Sequence, residues 1–137
     1  MPAAILAWSA PGTPARISER ILRDCGKVDS LCDLIFSGVF ERLPRLRVAI
    51  VEFELAWAPH LLATMDYTYR ERHGEAIYRF KDGMLPSDFF RRNVVLSFQE
   101  DAIGIRLRDV IGTDNMMWGL GLSAQRVDLS AIAQDPL

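Results

Sequence analysis

The stretch Leu46–Pro59, LRVAIVEFELAWAP, leaves few options for the fold. Val48 to Val51 is an unbroken apolar run that ends at the carboxylate of Glu52. Short β-branched runs bounded by polar residues suit strands buried on both faces. Pro59 suits the first turn of a helix, where no backbone N–H is needed. The stretch therefore predicts a strand, a short loop and a helix, with Glu52 at the strand's carboxyl end. In parallel α/β folds that end is where ligands and catalytic groups collect.

The same unit recurs downstream. Asn93 to Phe98 (NVVLSF) predicts a second buried strand, followed by Gln99, Glu100 and Asp101. Asp101 to Ile111 predicts a helix with Ile103, Leu107 and Val110 inward and Gly112 at its C-terminal cap. Asn115 to Trp118 predicts a third strand, ended by Gly119.

Upstream, residues 1 to 14 hold Pro2, Pro11, Gly12 and Pro14 and predict an irregular lead. Ala15 to Arg23 predicts a short helix interrupted at Gly26. Asp29 and Ser30 offer a cap for a helix carrying Leu31, Leu34, Ile35, Val39 and Leu43, which Pro44 ends. Between the first two strands, a helix from Pro59 to Arg72 carries Leu62, Met65 and Tyr69 on one stripe, and Gly74 breaks it. Glu75 to Lys81 adds a turn or two. Ser87 caps a helix that turns Phe89 and Phe90 inward. Trp57, Tyr67 and Tyr69 also read as core. The alternation of strand and helix means βαβ units, right-handed crossovers and a parallel sheet.

Composition narrows the partners. The 137 residues make one domain, half of them hydrophobic, and the net charge of −2 gives no reason to expect nucleic acid or an anionic membrane. No apolar run approaches the ~20 residues of a membrane span. Cys25 and Cys32 lie seven residues apart, about 10 Å along one helix, beyond the reach of a disulfide. They read as free thiols in a reducing cytoplasm.

Glu52 is the catalytic candidate, because an unpaired carboxylate after a buried strand is costly to explain as core. Glu54 either shares that site or faces water. Gln99, Glu100 and Asp101 either join the site or, for the two acids, favour the N-terminus of the next helix. The two histidines, His60 and His73, form neither an HxH nor an HExxH pattern, so their spacing indicates no metal site. His60 begins the helix after Glu52, and His73 sits in a charged helix end.

From about Ala15 to Gly119 the chain resembles the amidohydrolase-related family, the metal-dependent TIM-barrel group that includes the aminocarboxymuconate semialdehyde decarboxylase relatives. The resemblance rests on Phe36–Leu46 (FSGVFERLPRL), Val51–Pro59 (VEFELAWAP), Pro86–Asn93 (PSDFFRRN) and Ile111–Gly119 (IGTDNMMWG). It implies a partial (β/α)₈ barrel whose last three parallel strands fall near 47–52, 94–98 and 115–118, with helices outside. It also implies, for the full-length family, zinc or a similar divalent ion and a small-molecule substrate. The family's His-x-His pair has no counterpart here, and Glu52 stands where many members carry a His. No cofactor or metal is therefore expected in this fragment, and activity of the chain alone is not expected. The alternative is a non-catalytic remnant that self-associates through open sheet edges.

After Trp118-Gly119 the family continues Ser-Asp-Tyr-Pro-His, which supplies the Asp of the last strand. Here Leu120-Gly121-Leu122-Ser123-Ala124 follows. Legal codons for Leu120 to Pro136 exist that, read from the second base of the Leu120 codon, give Ser-Asp-Tyr-Pro-His-Ser-Glu-Ser-Thr-Phe-Pro-Arg-Ser-Arg-Arg-Ile. Third bases are free to choose, but the protein fixes most first and second bases. Residues 120–137 thus read as a non-homologous tail from a frameshift, loose or weakly helical.

Overall fold

The computed structural model describes residues 4–6 and 17–119. Four parallel strands lie in chain order: β1 (Ala4–Leu6), β2 (Val48–Ile50), β3 (Val94–Phe98) and β4 (Met116–Trp118). Val48 pairs with Val94, and Leu96 with Met116. The helices are α1 (Ile17–Phe36), α2 (Val39–Arg42), α3 (Ala58–Arg72), α4 (Pro86–Asn93), α5 (Ala102–Arg106) and α6 (Arg108–Ile111). This is the partial (β/α)₈ arc that the alternation predicts, with one strand more. β1 lies inside the stretch read as an irregular lead, where its three residues pair with Val48 to Ile50. The tail and its proposed looseness fall outside the described residues.

The core sits between one face of the sheet and the helices. Val48, Ile50, Val94, Leu96 and Phe98 supply the sheet side, and Leu31, Ile35, Phe40, Leu62, Met65, Phe89 and Phe90 the helix side. Each fully buried Phe or Leu contributes roughly 2–3 kcal/mol by its removal from water. Two buried asparagines close the junctions that the apolar groups cannot. Asn93 donates to the carbonyls of Pro44 and Leu46 at 3.2 and 2.7 Å. Asn115 donates to the carbonyls of Phe90, Arg91 and Val94, satisfying acceptors that the end of α4 leaves open.

Several local expectations are corrected. α1 runs unbroken through Gly26, which costs about 1 kcal/mol relative to Ala but does not stop a helix held by tertiary packing. Ser30 is no cap: its hydroxyl donates to the Gly26 carbonyl at 2.9 Å. The break comes instead at Gly38, whose φ is +72° and which lies so close to the Tyr78 ring that a Cβ would collide with it. Leu43 and Tyr67 are exposed rather than core. Glu75 to Lys81 adds only the end of a 3₁₀ turn, His73–Glu75. At α4 the Asp88 carboxylate, not Ser87, accepts from the Leu85 N–H at 2.9 Å. Ser87 instead donates its N–H and hydroxyl to Asp66.

The predicted helix Asp101–Ile111 is two short helices broken at Leu107, and Ile103 and Val110 are exposed. The inward positions are Gly104 and Ile111. Gly104 has no Cβ, and one placed there would strike Leu55 and Asp101. The close approach rotates the pair so that this glycine, not Ile103, meets the loop after β2. Cys32 is a free, half-buried thiol. Burial pushes its pKa up, and Asp29 and Asp33 push in the same direction.

Candidate functional site

The carboxyl ends of β2, β3 and β4 lie side by side, and the loop after β2 is built with unusual backbone. Glu52 and Glu54 both adopt φ +56°, a left-handed conformation that costs an L-residue roughly 1–2 kcal/mol. Such conformations persist only where the surroundings over-determine them, and here they do. The Glu52 N–H donates to the Ser97 hydroxyl at 3.1 Å. The Lys27 ammonium donates to the carbonyls of Val51 and Glu52 at 3.3 and 3.0 Å and lies 5.2 Å from the centre of the Phe53 ring. The Trp57 indole N–H reaches the carbonyls of Phe53 and Glu54.

Asp101 completes the clamp. One carboxylate oxygen accepts from the Leu55 and Ala56 N–H groups at 2.7 and 2.8 Å. The other accepts from Gly104 N–H at 2.7 Å, capping α5. Hydrogen bonds to an ionised acceptor are roughly twice as strong as neutral ones, so this one side chain ties the loop after β2 to the loop after β3. Glu54 bridges the same two loops, its carboxylate accepting from the Gln99 N–H at 3.3 Å. The Trp118 indole N–H donates to the Gln99 carbonyl at 3.3 Å, which joins the end of β4 to the same edge.

The structure therefore brings Glu52, Glu54, Gln99 and Asp101 to one edge and gives them different tasks. Asp101 and Glu54 have backbone N–H partners. The Glu52 side chain is exposed, and its carboxylate has no hydrogen-bond or ion-pair partner among the described residues. Glu100 is exposed in the loop after β3, between Gln99 and Asp101. His60 stands exposed in the first turn of α3 and joins none of these contacts, and His73 lies in the 3₁₀ turn after α3. Among the described residues, no three His, Cys, Asp or Glu side chains gather so as to hold a metal ion. The donors of this edge thus do not fit a metal centre as they stand.

Sequence reasoning did not single out Lys27 or Ser97. For Ser97 a signal existed: it is a hydroxyl inside an otherwise apolar buried strand, and it is 1% exposed. Lys27 carries none, since a lysine on a helix is ordinarily solvated.

No family model and no curated protein matches this chain. Solved structures do. A 5-carboxyvanillate decarboxylase from Sphingomonas paucimobilis is 24% identical with a TM-score of 0.57; the match covers 81% of this chain and 34% of that one. An amidohydrolase from Mycobacterium avium subsp. paratuberculosis is 21% identical with a TM-score of 0.62, over 87% of this chain and 30% of that one. The fold is part of an amidohydrolase-type barrel. A third match is a dihydroxybenzoic acid decarboxylase from Polaromonas, solved with manganese and the inhibitor 2-nitroresorcinol; it is 17% identical with a TM-score of 0.55, over 89% of this chain and 40% of that one. The chain spans about a third of the length of these proteins. Its four described strands are an arc of such a barrel.

Proposed function

We propose that this chain is the C-terminal part of an amidohydrolase-like metal-dependent hydrolase or decarboxylase, with Glu52 as the catalytic residue it contributes, and that the part is inactive alone. One observation carries the reading. At the carboxyl end of a buried strand, Glu52 is held in a left-handed backbone by Ser97 and Lys27, while its carboxylate stays unengaged among the described residues. A residue kept in strain with its reactive group free is the pattern of a functional position. A carboxylate so placed can accept a proton from a substrate or from water. A divalent ion and a small-molecule substrate belong to the complete barrel, and manganese in the Polaromonas structure supports that reading. Among the described residues the fragment contributes no ligand set of its own. Free Cys32 fits a cytoplasmic location.

The test has two arms. Purified chain is expected to turn over neither amide or ester substrates nor hydroxylated aromatic acids with manganese or zinc added. A complete barrel carrying these residues is expected to be active, and Glu52→Gln to lower kcat by 10²-fold or more. Turnover by the chain alone, or full activity of the Glu52→Gln barrel, contradicts the reading.

We further infer a frameshift after Gly119, supported by the existence of legal codons for Leu120 to Pro136 that spell Ser-Asp-Tyr-Pro-His in the neighbouring frame. Residues 15–119 are then the barrel portion and residues 120–137 an unrelated tail. The second reading, a non-catalytic chain that self-associates, is favoured by the open edges of β1 and β4 among the described residues.

A further inference from the structure

We propose that two copies of this chain close one eight-stranded barrel, each supplying four strands. The proposal deepens the self-association reading by naming the occupant and the geometry. It starts from the strand count. The sheet order is β1-β2-β3-β4, all parallel, and a (β/α)₈ barrel closes at eight. Half a barrel has two open edges, and among the described residues these are β1 and β4. Natural edge strands are blunted by charge or proline. Ala4-Ile5-Leu6 and Met116-Met117-Trp118 contain neither.

The β4 edge offers one backbone donor without a partner among the described residues. Gly119 N–H donates to the Phe98 carbonyl at 3.2 Å. N–H directions alternate along a strand, so the Trp118 N–H points to the open side. Trp118 itself is 46% exposed.

The sheet face turned away from the helices is only partly covered among the described residues: Ala49 and Ser97 are buried, and Val51, Val95 and Met117 are half-buried. Ala49, Val51, Val95, Ser97 and Met117 alternate with the core positions, and none belongs to the helix-packed core. Parallel sheets are almost always covered on both faces. This face carries no charge, so an identical copy meets it without like-charge repulsion. A two-fold axis along the barrel sets β4 of one copy beside β1 of the other, twice, and the ring closes. All eight strands then share one direction, and their carboxyl ends form a single mouth with Glu52 from both copies.

The experiment uses the full chain. Sedimentation equilibrium is expected to give twice 15.5 kDa over a concentration series. Isotope-filtered NOEs in a mixture of labelled and unlabelled chains are expected to link the Trp118 amide of one copy to β1 of the other. Val95→Lys places an ammonium on the inner face and is expected to give a folded monomer, judged by circular dichroism. A wild type that stays monomeric at its highest soluble concentration overturns the proposal. So does a defined dimer without the β4-to-β1 NOEs, or a folded Val95→Lys that still dimerises. Polydisperse assemblies also overturn barrel closure, yet leave association through open edges standing. The NOE arm needs only the wild type, so an unfolded variant does not blunt the test.

Discussion

Under the proposed function, Glu52 is the residue on which stability and function pull apart. Its φ of +56° suits glycine, which adopts that region without steric cost. Glu52→Gly is therefore expected to raise stability by about 1 kcal/mol, read as a higher urea midpoint with an unchanged slope. A loss of stability would mean that the carboxylate itself holds the loop. Asp101 is the opposite case. Asp101→Asn keeps the shape but removes the charge that three N–H groups share, and it is expected to cost about 2 kcal/mol in the same measurement. The prominence of Glu52 was legible in the sequence because a carboxylate directly follows a buried strand. Its clamp was not. Ser97 and Lys27 reach Glu52 from 45 and 25 residues away in the chain, and only the parallel register brings them there. From the sequence, Asp101 reads as a charge at a helix N-terminus or a site residue. It does cap the helix, but its other oxygen fixes the loop after β2, a role that no local pattern encodes.

At the scale of elements, the turn between α1 and α2 and the segment around Tyr78 act as one unit. The Tyr78 ring lies against Gly38, and its hydroxyl donates to Glu41 at 2.5 Å. Lys81 N–H donates to the other Glu41 oxygen at 2.8 Å, and Arg42 lies 5.7 Å from the Tyr78 ring centre. Gly38→Ala combines a positive φ with a collision and is expected to cost about 2 kcal/mol or more by urea unfolding. The Tyr78 hydroxyl, then the Lys81 N–H, holds the Glu41 carboxyl below its ordinary value of 4.5. A depressed carboxylate stabilises the fold above its unfolded pKa, and that contribution is lost as pH falls through the folded value. The Glu41 bond also raises Tyr78 above its ordinary 10.0, so its contribution is present below that pH and lost as pH rises through the raised folded value. Tyr78→Phe is expected to flatten both limbs of the stability–pH curve, below pH 4.5 and above pH 10.0. Unchanged limbs would remove the pair from the account. Periodicity found the existence of most helices but misplaced their breaks and one buried face. Gly26 and Gly38 look alike in sequence, and only Tyr78, far along the chain, makes the second one obligatory. On α5 and α6 the hydrophobic stripe points to the wrong inward face, because the tight contact of Gly104 with Leu55 sets the rotation.

At the scale of the whole molecule, three of the four strands and their parallel order followed from apolar runs alternating with helical stretches. β1 escaped notice because three residues in a Pro- and Ala-rich stretch carry no usable period, and a neighbour defines it. No helix among the described residues is long and apolar enough to cross a membrane. The described arc ends at Gly119, where the motif shared with the amidohydrolase-related family also ends. We propose that this chain is the C-terminal arc of such a barrel, diverted from its proper continuation by a shift of reading frame, and the nucleotide sequence following the Gly119 codon decides it. Read from the second base of the Leu120 codon, it is expected to spell Ser-Asp-Tyr-Pro-His and to continue in an open frame. Nucleotides that encode no such motif in that frame would contradict the account.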